Sequence, residues 1–273
     1  MLHARVSTEP ASAGHPALIF VHGLNVSSLT MLPTARLLAR SYPVYAPDLP
    51  GCGESQKPAH ALTVPELADA LVAWMQAIGL ERAVLIGNSM GCQVAVDCAA
   101  RHPERVERLV LIGPTVDPQG RPLIRLLGRW LLDGHREPLA LRLTLLRDYL
   151  GLRPLPAIQT LRSMMADHIE EKLPAARVPT LIVRGGRDPI APQRWAEEAT
   201  RLLPDGRLVV IPGAPHTTQF SAPLECARVM RPFLLDVASA CTAAVSARHR
   251  QRTVGGESFA SMAAGSTGAT PGG

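Results

Sequence analysis

The stretch that most constrains this chain is Ala83–Gly91, an apolar run closed by Gly87-Asn88-Ser89-Met90-Gly91. The run Ala83 to Ile86 reads as a short buried strand and the residues from Gly91 onward read as a helix, so Ser89 falls at a strand-to-helix turn. Gly87 and Gly91 flank it at two residues on either side, where such a turn is too tight for side chains. A serine mounted there projects its hydroxyl from the tip. The backbone N–H of Met90, at the start of the helix, then faces developing negative charge. The five-residue pattern also occurs without chemistry, so its partners must be found elsewhere in the chain.

Further strands are expected at residues 17–21, 44–46, 106–112, 180–183 and 208–211. Helices are expected at 31–40, 64–78, 192–203 and 224–237, with Leu67, Leu71, Trp74 and Ile78 forming a core-facing stripe. This alternation predicts an α/β fold with a doubly wound, mostly parallel sheet, whose sites lie at the carboxyl ends of the strands. The strand at 17–21 runs into His22-Gly23-Leu24-Asn25. That could be a plain turn, or a bend at Gly23 that aims the N–H of Leu24 at the same point as that of Met90, forming an oxyanion hole.

His-Gly after the first strand, Asp48–Ser55 (DLPGCGES) after the next and GNSMG after the third resemble the α/β-hydrolase superfamily of serine esterases and related enzymes. The resemblance spans roughly residues 17 to 236. It implies a triad of Ser89, Asp188 and His216, with Asp188 in the loop after the 180–183 strand and His216 in the loop after the 208–211 strand. Asp188 could instead cap a helix, and Asp117 occupies a position from which some relatives draw their acid. His22 is implied to be a structural neighbour of the oxyanion loop, and Asp48, Gly51 and Gly53 to be loop architecture. Residues 115–176 lack strands and carry three helical segments, which resemble the family's inserted cap. The expected organisation is a core at 1–114 and 177–237, a cap at 115–176 and a disordered tail at 238–273. Two departures stand out. Little chain precedes residue 17 to form the usual N-terminal hairpin, so the sheet is expected to be short at one edge. Thr217 follows His216 where carbon–carbon hydrolases of ring-cleavage products typically carry tryptophan.

A formal charge of +5 is spread over dispersed arginines, so no nucleic-acid partner is expected. The five cysteines lack paired spacing, suggesting neither disulfides nor zinc; Cys92 and Cys98 read as small buried hydrophobes. No stretch resembles a secretory signal or a membrane span, and a cytoplasmic location is the expectation. Cap residues including Leu126, Trp130, Leu141, Leu145, Tyr149, Met164 and Met165 are expected to pack, some of them roofing a pocket. The chemistry implied is cofactor-free, metal-free hydrolysis of a small-molecule carboxylic ester through an acyl-enzyme. Carbon–carbon hydrolase, lactonase, thioesterase, acyltransferase and perhydrolase activities would use similar machinery, and a binding protein could occupy the same scaffold.

Overall fold

Short apolar runs bounded by Gly, Pro and Asp become strands buried on both faces, and the amphipathic segments between them become crossover helices. The computed structural model describes residues 1–8 and 14–235. The strands are β1 (Ala4–Val6), β2 (Leu18–Val21), β3 (Val44–Pro47), β4 (Ala83–Asn88), β5 (Val106–Ile112), β6 (Thr180–Gly185) and β7 (Gly206–Ile211). They form one seven-stranded sheet in the order β1-β3-β2-β4-β5-β6-β7, in which β1 is antiparallel and the others are parallel. The mostly parallel α/β sheet expected from the sequence is therefore the fold. Its edge keeps a strand, but one of only three residues, paired Arg5 to Ala46.

The core helices are α1 (Leu32–Ala39), α2 (Val64–Ala77), α3 (Met90–Arg101) and α8 (Gln193–Leu202), followed by a short α9 (Thr218–Ser221) and a helix over 223–235, α10. Side chains alternate across the sheet. Ile19, Val21, Leu85, Leu109 and Leu111 join α2, α3 and α8 in one apolar layer. Leu18, Phe20, Ile86, Val110 and Ile112 join α1 and α10 in the other. Each such fully buried aliphatic contributes ~1.5–3 kcal/mol, which makes the sheet a rigid mount. Ile78 departs from its expected core stripe and is exposed, because α2 ends at Ala77 and Ile78 turns the chain into Gly79, whose φ is +72°. Cys52, Cys92, Cys98 and Cys226 are buried free thiols. The proposed tail at 238–273 lies outside the described residues.

Between β5 and β6 the chain forms a helical insertion, α4 (Leu123–Gly134), α5 (Leu139–Leu150), α6 (Pro154–Ala166) and α7 (Ile169–Lys172). The last expected segment, read as continuous, breaks at Asp167 and His168. There the carbonyl and carboxylate of Asp167 accept from Gln93 Nε2 of α3 at 3.1 Å, while Lys172 ties Asp167 to Asp97. Asp148 of α5 accepts from the Ser27 N–H at 2.7 Å, and Asn25 donates to the Ala157 carbonyl at 3.1 Å. These bonds hold the insertion over the carboxyl edge of the sheet.

Candidate active site

Parallel register places the sequence-predicted residues along one edge. Val21 pairs with Gly87, Asn88 with Ile112, Ile112 with Val183 and Gly185 with Ile211, so the segments leaving β2, β4, β5, β6 and β7 start side by side. Ser89 leaves β4, Gly113 leaves β5, Asp188 follows β6 and His216 follows β7.

Ser89 caps α3 with φ 55° and ψ −122°, a conformation costing ~1–3 kcal/mol for a residue with a side chain. The surroundings impose it. The Ser89 N–H donates to the Ile112 carbonyl at 3.0 Å, and its carbonyl accepts from the Cys92 N–H at 2.9 Å. Behind it, a Cβ on Gly91 would lie 2.2 Å from the Val21 carbonyl oxygen and 2.7 Å from that of His22, so only glycine lets α3 start this close to β2. Met90 is the first residue of α3, and its N–H is one of those that have no acceptor within the helix.

The turn at Gly23 and Leu24, expected to carry the oxyanion hole, is held from below. His22 is fully buried; its Nδ1 lies 2.9 Å from the Gly23 carbonyl and its Nε2 2.8 Å from the Leu49 N–H. A ring that donates through Nδ1 and accepts at Nε2 is neutral, and burial lowers its pKa in keeping with that. His22 thus ties β2's end to the loop after β3, with Leu24 half-buried above it. In that loop, buried Asp48 accepts from the Ser28 N–H at 2.7 Å and the Glu54 N–H at 3.0 Å and pairs with Arg5 at 3.2 Å. Burial alone would raise its pKa, but these donors outweigh it and hold the carboxyl at about 2. Asp48 is a loop organiser that also anchors β1. On the Asn25 side, a cleft of about 150 Å³ under the insertion is lined by Arg5, Lys57, Arg147 and Asp148 among others.

Asp188 and His216 meet across the β6 and β7 loops. His216 Nδ1 is 2.8 Å from Asp188 Oδ2, while Asp188 Oδ1 accepts from the N–H groups of Ile190 at 2.7 Å and Ala191 at 2.9 Å. The carboxylate is therefore fixed, and it selects the tautomer that leaves a lone pair on Nε2. That Nε2 is buried and makes no hydrogen bond among the described residues. Gly113, at φ +55°, backs the pair. A Cβ there would lie 2.8 Å from His216 Nδ1 and 3.0 Å from Asp188 Oδ2.

Two acids that sequence reasoning missed come from the insertion. Asp133 Oδ1 accepts from the His216 N–H at 3.0 Å, and Glu137 accepts from the Thr217 N–H at 2.7 Å and from the Ser221 hydroxyl. Both are buried. Burial lowers the pKa of His216, but the nearby charges of Asp188, Asp133 and Glu137 outweigh it and raise the pKa to about 9. Burial pushes Asp133 itself up, with the Glu137 charge adding to the rise and His216 opposing it. The only sequence signal was an acid pair spaced i, i+4 amid arginines. Asp117, weighed as an alternative acid, is instead engaged by Arg129 of α4 at 2.8 Å and by Arg194 of α8, which lock the insertion to the core.

A family model described as the alpha/beta hydrolase family matches residues 18–229. The chain belongs to the alpha/beta hydrolase family. This α/β hydrolase is 30% identical over 227 residues to the N-formylmaleamate deformylase of Pseudomonas putida, covering 74% of this chain and 82% of that one. It is 40% identical to the 2-hydroxymuconate semialdehyde hydrolase of a Pseudomonas strain over 114 residues, 40% of each chain. Among solved structures, a thermophilic esterase from Thermogutta terrifontis superposes with a TM-score of 0.74 at 23% identity, covering 87% of this chain and 94% of that one, a likeness of fold alone.

Proposed function

We propose that this α/β hydrolase is a serine hydrolase that cleaves carboxylic esters of small-molecule substrates through an acyl-enzyme. The observation carrying this reading is the 2.8 Å contact between His216 Nδ1 and Asp188 Oδ2, which leaves the buried Nε2 as an unpaired base on the same sheet edge as Ser89.

His216 Nε2 takes the Ser89 proton as Oγ bonds to the carbonyl carbon, and the N–H groups of Leu24 and Met90 receive the oxyanion. Each such donor supplies on the order of 3 kcal/mol at the transition state. As the carbon–oxygen bond breaks, the imidazolium returns its proton to the departing alcohol. Water, deprotonated by the same nitrogen, then attacks the acyl-serine and releases the acid. Asp188 keeps the ring in its useful tautomer and offsets its transient charge. Residues 115–176 serve as the cap over this centre, and a cytoplasmic location is part of the reading.

A second reading is hydrolysis of a carbon–carbon bond in ring-cleavage products, favoured by the 40% identity to 2-hydroxymuconate semialdehyde hydrolase. Thr217, rather than tryptophan, after His216 weighs against it. The deciding experiment compares purified protein on p-nitrophenyl acetate and butyrate with a coloured ring-cleavage product. It is repeated with Ser89→Ala and with mass spectrometry after a serine-reactive phosphonate. Ester turnover that Ser89→Ala abolishes, with one phosphonate adduct on Ser89, is expected. Undiminished ester turnover in that variant overturns the mechanism, and preference for the coloured acid promotes the second reading.

A further inference from the structure

Apolar side chains of the insertion are divided between two faces. Leu126 and Met164 pack in the core and Leu141 is buried, but Tyr149, expected to pack, is 51% exposed near the end of α5, and α4, α5 and α6 also turn large aliphatics outward. Of 17 exposed large hydrophobics among the described residues, 12 fall between Leu123 and Ile158, including Ile124 at 80%, Leu131 at 70%, Leu150 at 79% and Leu155 at 73%. Scattered exposed leucines need no explanation, but such a concentration on three consecutive helices does.

The pattern within each helix is ordered. At 100° per residue, Leu139, Leu143, Leu146 and Leu150 lie within one narrow stripe of α5, while Leu141 and Asp148 lie opposite and face the core. Arg142 and Arg147 flank the stripe, one on each side. On α4, Ile124, Leu127 and Leu131 form a second outward stripe with exposed Arg125 beside it.

Charge on the exposed side of α4, α5 and α6 has one sign, the exposed Glu171 lying beyond them on α7. Residues 121–162 contain eight arginines, no lysine and three acids. All three acids point inward and are occupied, Asp133 by the His216 N–H, Glu137 by the Thr217 N–H and Asp148 by the Ser27 N–H. Arg142, Arg147, Arg153 and Arg162 are exposed and have no ion-pair partner among the described residues. Outward leucine stripes with arginines at their margins and no exposed acid complement a surface that is apolar within and negative at its boundary.

We propose that the outer face of the helical insertion docks on an anionic lipid surface, with α4 and α5 lying in the interfacial plane. A second copy of the chain is a poorer occupant. A two-fold contact sets the same patch against itself, so unpaired arginines would meet arginines with no carboxylate between them. No described helix is long and apolar enough to cross a membrane, so the contact is peripheral.

The test uses the full chain carrying Ser89→Ala, so that its outcome is independent of any ester hydrolysis. Co-sedimentation is measured with phosphatidylcholine vesicles with and without phosphatidylglycerol, at low and high salt. Binding that requires phosphatidylglycerol and weakens with salt is expected. Arg142→Gln with Arg147→Gln should weaken partitioning about 30-fold, from about 1 kcal/mol per arginine. Leu131→Ser with Leu146→Ser and Leu150→Ser should abolish binding; these positions are exposed, and the same melting temperature as the parent verifies that the fold is kept. Absence of vesicle binding, equal binding to neutral vesicles, or binding indifferent to both variant sets overturns the proposal. So does sedimentation of the parent as a dimer that the leucine variants dissociate, which assigns the face to a second copy.

Discussion

The backbone N–H of His216 donates to Asp133 Oδ1 at 3.0 Å, so a helix of the insertion holds the loop that carries the proposed base. One turn further along the chain, Glu137 takes the next N–H, that of Thr217, at 2.7 Å. These acids position the loop and also act electrostatically on the imidazole.

A neutral imidazole is needed to accept the serine proton, so activity should rise with pH through the pKa of His216, raised from 6.5 to about 9. Glu137→Gln and Asp133→Asn keep an oxygen acceptor for the backbone but remove charge. Each should move the acid limb of kcat/KM to lower pH. A purely structural role would reduce the rate without moving the midpoint. The same shift stabilises the fold below pH 6.5, and that contribution should fade as pH rises through about 9.

Gly113→Ala should damage the pair from behind. A Cβ 2.8 Å from His216 Nδ1 must displace the ring, and φ +55° costs the new residue ~1–2 kcal/mol. Displacement by a fraction of an ångström to one ångström should lower kcat by up to about 100-fold with a smaller change in KM, read by steady-state kinetics beside thermal melting.

Gly91→Ala meets backbone rather than a yielding side chain, at 2.2 Å from the Val21 carbonyl oxygen. Either α3 moves off β2 or the fold is lost. A stability loss of about 3 kcal/mol in denaturant titration is expected, together with loss of phosphonate labelling at Ser89. Normal stability and labelling would show that the turn tolerates a side chain.

Asp48 has its pKa depressed from 3.8 to about 2, so it stabilises the folded state above pH 3.8, and that contribution is lost as pH falls towards 2. Asp48→Asn should remove about 2 kcal/mol at pH 7. The gap between the melting curves of parent and variant should close in acid.

Much of this architecture was legible because apolar runs such as Leu18–Val21 and Val106–Ile112 have no stable place except a buried strand. The Ser89 turn was legible because its two glycines are a steric requirement of the turn itself. Strand β1 was not: its three residues have no periodicity, and it is held by pairing with β3 and by Arg5 on Asp48. Asp133 and Glu137 were hidden for a related reason. Their partners are main-chain N–H groups about eighty positions away, and any residue type can supply such a group. Asp117 stayed open as an alternative acid because a buried acid after a strand looks the same whether it faces a histidine or two arginines.

The insertion's attachment to the loop at residues 216 and 217 means that this roof is not an exchangeable accessory. Grafting the corresponding helices from a homologue would replace more than the proposed cap; it would also remove two carboxylates from beside the His216 imidazole, so under the proposed mechanism selectivity and optimum pH would change together in such chimeras.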